Sequence, residues 1–101
     1  MNLFKEELRI NPAETHYGLG FALLRKGRTS EAIDQYEQAL RINPNYADAH
    51  SNLGAALAQM GRISEAIEQF KAALRINPNH ADARNNLTRL EALQKTTPAR
   101  K

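Results

Sequence analysis

Apolar residues recur along this chain with a helical period, and the runs stop at the same kinds of residue. Ala49, Leu53, Ala56, Leu57 and Met60 fall on one helix face. Gly61 follows, where a helix commonly ends in a left-handed residue. Ser64 is placed to cap the next helix, and Glu65 suits its positive first turn. Ala66, Ile67, Phe70, Ala73 and Leu74 make the second apolar stripe, which Pro78 cannot continue. The same logic runs through Gly27, Ser30, Ala32, Ile33, Tyr36, Ala39, Leu40 and Pro44. Asn11, Asn45 and Asn79 each stand three residues before an acid (Glu14, Asp48, Asp82), a helix-start signature, and Pro12 suits a first helical turn. The pattern predicts helices near 12–26, 30–43, 46–60, 64–77 and 80–94, with a short one over 2–9.

Self-comparison turns this pattern into a repeat. Residues 13–46 and 47–80 are each 34 long and agree at 20 positions. Residues 81–94 begin a third copy, and FKEELRINP at 4–12 resembles YEQALRINP at 36–44, the end of an earlier one. The positions Leu19-Gly20, Ala32, Tyr36, Ala39 and Pro44 recur as Leu53-Gly54, Ala66, Phe70, Ala73 and Pro78. This pattern resembles the tetratricopeptide repeat family. The resemblance implies an all-α, right-handed superhelical solenoid of antiparallel helix pairs. The chain then divides into a partial preceding helix (1–12), repeat one (13–46), repeat two (47–80), a capping helix (81–95) and a flexible tail (96–101). The small residues Gly20, Gly54, Ala32 and Ala66 are expected where the two helices of a repeat cross, since larger ones would force the axes apart.

The period breaks once. Pro44 and Pro78 are 34 apart, but Pro12 and Pro44 only 32, so Asn11-Pro12 runs into its helix without the counterparts of Asn45-Tyr46. Two readings fit: a fragment of a longer array, or a start whose first helix packs in its own way.

The resemblance also implies function. Such repeats stack their first helices into a concave groove that binds a peptide or protein segment. On that side it places Glu14, Tyr17, Phe21, Leu24 and Arg25, then Asp48, Ser51, Asn52, Ala55 and Gln59, then Asp82, Asn86 and Arg89. The candidate partner-binding set is Tyr17, Phe21, Leu24, Arg25, Asn52, Gln59, Asn86 and Arg89. Tyr17, Phe21 and Leu24 form an i, i+4, i+7 stripe. It reads as an anchor pocket, or as a face packed on a preceding repeat, on residues 1–10 or on a second copy; burial is the commoner fate of such stripes. Asn52 and Asn86 stand 34 apart, where some relatives grip a peptide backbone with amides that both donate and accept; a solvated polar groove is the plainer reading. A lysine, asparagine and arginine clamp for acidic chaperone tails is not expected. Its positions are Tyr17, Phe21, Asn52, Asp82 and Asn86, and only Asn52 fits.

Composition narrows the rest. At 101 residues there is room for one small domain. Cysteine is absent, which excludes disulfides and thiolate chemistry. The net charge of +3 sits in Lys95, Arg100 and Lys101, so the remainder is balanced and no basic surface recommends nucleic acid. No run approaches a membrane span or a signal peptide, making a cytoplasmic protein the default. His16 and His50 occupy matching positions, but two histidines alone make a poor zinc site. Gly18-Leu19-Gly20 lies within a predicted helix and not after a strand, Asn86-Leu87-Thr88 sits in another helix, and Thr97-Pro98 stands in the tail. No cofactor is called for, and enzyme activity is not expected. The competing expectation is a self-assembling unit, swapped or not, built on Leu3, Phe4, Leu8, Tyr17, Phe21 and Leu24.

Overall fold

The computed structural model describes residues 11–96, and these form five helices. They are α1 (Pro12–Arg25), α2 (Thr29–Ile42), α3 (Ala47–Gln59), α4 (Ile63–Ile76) and α5 (Ala81–Thr96). No strand occurs among the described residues. The expected helix over 2–9 and most of the tail lie outside them. Helices α1, α3 and α5 open successive units, and α2 and α4 close the first two.

The turns inside the repeats follow from glycine. Gly27 and Gly61 hold φ of 82° and 80°. Arg28 N–H reaches the Leu23 carbonyl at 2.9 Å and Gly27 N–H reaches that of Leu24 at 3.0 Å, satisfying carbonyls that α1 leaves open. Gly61 and Arg62 do the same at the end of α3.

The helix starts differ in part from the expected caps. Asn11 caps α1, its Oδ1 accepting from Ala13 and Glu14 N–H at 3.0 and 3.2 Å. Ser30 and Ser64 do not cap, because α2 and α4 begin one residue earlier, after Arg28 and Arg62. Asn45 and Asn79 do not cap either. Asn43 and Asn77 hold the turns, accepting from Asn45 and Asn79 N–H at 3.1 Å each. The preceding residue of α5, His80, accepts from Ala83 N–H through Nδ1. A four-residue turn places the cap one position later than the spacing to the acid suggests.

The core is a ladder of small residues under two rings. Ala32, Ala39, Ala66 and Ala73 are fully buried, as is Tyr36, with Phe70 nearly so. A Cβ on Gly20 would lie 2.8 Å from Tyr36 Cε1, and one on Gly54 2.9 Å from Phe70 Cε1. The glycines are therefore the ring sockets. Each α1–α2 or α3–α4 pair is also pinned by a polar bond at its seam. His16 Nδ1 lies 2.7 Å from Gln35 Oε1, and His50 Nδ1 lies 2.8 Å from Gln69 Oε1. The rings of His16 and His50 thus bond glutamines, and His50 also meets the Pro44 carbonyl at 2.8 Å.

Candidate functional site

Helices α1, α3 and α5 touch one another in sequence, whereas α2 and α4 do not meet. The stack therefore curves with α1, α3 and α5 inside, and their free faces line one groove.

The apolar end of that groove is largely committed to its own packing. Tyr17 is half-buried, with its ring 5.9 Å from Tyr36 and 5.0 Å from Tyr46. Asn52 Nδ2 donates to Tyr17 Oη at 3.2 Å and to Tyr36 Oη at 3.3 Å. Leu24 is half-buried against the core. Phe21 remains 46% exposed, with the Arg25 guanidinium 5.7 Å above its ring. Tyr17, Phe21 and Leu24 thus do not share one open stripe. Tyr17 leans forward onto the next repeat rather than back onto a preceding one, because Tyr46 and Asn52 offer it a ring and an amide.

Electrostatics follow the packing. Burial lifts the Tyr17 phenol above 10.0, and the nearby Asp48 carboxylate adds to the rise. Burial does the same to Tyr36, while the Asn52 amide opposes it by favouring the phenolate.

The other end is open. Between α3 and α5 lies a cleft of about 210 Å³ lined by Ala55, Ala58, Phe70, Asn86, Arg89 and Leu90. Asn86 matches Asn52, but its neighbours at the matching positions are Ser51 and Phe70 in place of Tyr17 and Tyr36. Neither brings a phenol. Asn86 lines the cleft; its Oδ1 accepts from Arg89 Nη1 at 3.0 Å, and its amide N–H groups have no hydrogen-bond partner among the described residues. At the groove's edge His80 Nε2 meets Asp48 Oδ1 at 2.7 Å, tying the third helix start to the second unit.

Of the sequence-predicted set, Asn86 and Arg89 come together at this cleft, with Ala55 beside them. Gln59 is drawn away to the intra-repeat turn, where its Oε1 accepts from Thr29 Oγ1 at 3.2 Å. Ser51 is buried. Phe70, Ala58 and Leu90 line the cleft and were absent from the candidate list. Sliding the repeat by one period from Leu24 would have found Ala58, whereas Phe70 and Leu90 match Tyr36 and Ala56, core positions that the repeat alone does not mark as a site. Among the described residues no cluster of three or more histidine or carboxylate groups could hold a metal. No helix there is long and apolar enough to cross a membrane.

Comparison with known proteins agrees with this architecture. A family model described as TPR repeat matches residues 22–61, and one described as Tetratricopeptide repeat matches residues 47–80. The chain belongs to the tetratricopeptide repeat family. The fold is similar to that of MamA, with a TM-score of 0.80 and 30% identity over 82% of this chain. The match covers 48% of the MamA chain, so this chain spans about half its length. No curated protein matches in sequence. As a tetratricopeptide repeat protein, the chain is a protein-interaction module, of a family that is typically non-catalytic.

Proposed function

We propose that this module binds an extended peptide in the groove of α1, α3 and α5, with one apolar side chain seated in the cleft between α3 and α5. The observation that carries the reading is the contrast between Asn52 and Asn86. Asn52 spends its amide on two tyrosine hydroxyls, whereas Asn86 keeps its N–H groups at an open cleft. The floor of Ala55, Ala58, Phe70 and Leu90 offers apolar contact. The wall of Asn86 and Arg89 offers donors. The ligand that suits both is a strand presenting an apolar side chain next to carbonyl or carboxylate acceptors. Phe21 and Arg25 extend the same face toward the other end. Self-association is the alternative.

The test is selection from a random peptide library against the purified protein, followed by titration of a selected peptide into variants. Ala58→Trp should fill the cleft and abolish binding while circular dichroism stays helical. Arg89→Ala should weaken binding about tenfold or more, the loss of a charged hydrogen bond. Selected peptides that bind Ala58→Trp as tightly as the parent would refute the site.

A further inference from the structure

The outer face of α1 is built like an interior surface and has nothing over it among the described residues. In the second repeat, Leu53, Ala56 and Leu57 are buried, and α2 packs across α3. The matching residues of α1 are Leu19, Ala22 and Leu23. Leu19 is 47% exposed where Leu53 is 3% exposed; Ala22 is exposed and Leu23 only half-buried. Side chains of the same kind, at the same register, differ only in whether a closing helix lies against them.

The chain carries a further closing-helix sequence. Residues 4–12, FKEELRINP, differ from residues 70–78, FKAALRINP, at two positions only. Those two are Glu6 and Glu7 in place of Ala72 and Ala73, and Ala73 is fully buried within α4. A closing helix inside the array lies between its own opening helix and the next one.

The connection decides which copy supplies the segment. Both described turns from a closing to an opening helix use four residues, Asn-Pro-Asn followed by Tyr46 or His80. In each, the last residue's N–H bonds the first asparagine's carbonyl, from Tyr46 to Asn43 at 3.2 Å and from His80 to Asn77 at 3.0 Å. At the start of α1 two of those residues are missing. Asn11 caps the helix directly and Pro12 is already its first residue. The reverse turn cannot form there in the repeat's register, and hinges too short to fold back favour exchange between copies.

We propose that the outer face of α1 receives residues 4–10 of a second copy, in the place α2 takes against α3, and that the exchange is reciprocal. The surface is distinct from the peptide groove and does not depend on it. A two-fold swapped dimer satisfies both copies with one kind of contact.

The experiment is molar mass by light scattering over a wide concentration range. The intact protein should reach twice 11.3 kDa. Leu19→Glu should return it to the monomer mass, as should Phe4→Glu, at a position outside the described residues, with circular dichroism confirming that both variants stay helical. Inserting Asn-Tyr after Pro12 restores the 34-residue period and should also give a monomer, since the segment can then fold back on its own chain. A monomer at every concentration in the intact protein would overturn the proposal. So would a dimer mass that survives either glutamate, or one that survives the insertion.

Discussion

Two glycine substitutions with the same chemistry should move stability in opposite directions. Gly18 and Gly54 both lie inside helices, α1 and α3. Replacing glycine by alanine in a helix interior gains roughly 0.5–1 kcal/mol, because alanine loses less backbone freedom on folding. At Gly18 a Cβ meets nothing within 4 Å, so Gly18→Ala should show that gain in full. At Gly54 the added Cβ would sit 2.9 Å from both Cε1 and Cζ of Phe70 and 3.1 Å from Cδ1. Phe70 is a rigid ring, nearly fully buried, and the atoms met are those of the ring itself rather than a flexible chain end. Overpacking of this kind costs about 1–3 kcal/mol. The propensity gain is common to both variants, so the gap between them measures the clash alone, at about 1–3 kcal/mol. In a domain of this size 1 kcal/mol moves Tm by roughly 4–8 °C. Thermal unfolding followed by circular dichroism should therefore place Gly54→Ala at least about 4 °C below Gly18→Ala. As a check on the cause, Phe70→Leu should cost less in the Gly54→Ala background than alone. Equal melting temperatures for the two alanine variants would refute the socket account of Gly54.

Three further outcomes follow from the same packing. Ala66→Leu, at a fully buried crossing of α3 and α4, should lose about 1–3 kcal/mol in urea unfolding. Asn52→Ala should cost about 1 kcal/mol by removing the donor shared by Tyr17 and Tyr36, whereas Asn86→Ala should stay within about 0.5 kcal/mol, and equal losses would contradict the proposed division of labour. Burial raises the Tyr17 and Tyr36 phenols, so the folded chain holds protons that the unfolded chain has released. Their contribution is complete below about pH 10 and declines as pH climbs from there through the folded values. Denaturation midpoints should be flat through neutral pH and fall on the alkaline side, less steeply in Tyr17→Phe.

The fold was readable because it is repeated. Two copies at a 34-residue period placed Gly20, Gly54, Ala32 and Ala66 at the crossings and Tyr36 and Phe70 on the apolar stripes, and the structure seats the two rings against the two glycines. Local chemistry was legible where it acts within a few residues, as at Gly27, Gly61 and Asn11. It was less so where the turn had to be known first: Asn43, not Asn45, holds the chain entering α3. The groove was legible as a surface but not as a site. The spacing put Tyr17, Phe21 and Leu24 on one stripe, and no count of residues says that Tyr17 will turn toward Tyr46.

The sequence by itself determined the helix pairs, their period and their small-residue crossings, because each depends on residue type at fixed spacing; the groove face came from the family resemblance. Only the tertiary structure decided that two asparagines at equivalent positions differ. Asn52 meets the phenols of Tyr17 and Tyr36, residues 35 and 16 positions away, and Asn86 meets neither. It decided likewise that Leu19 and Leu53, alike in sequence, are one exposed and the other buried. Availability depends on what a neighbouring unit brings into contact, and that is settled when the units stack.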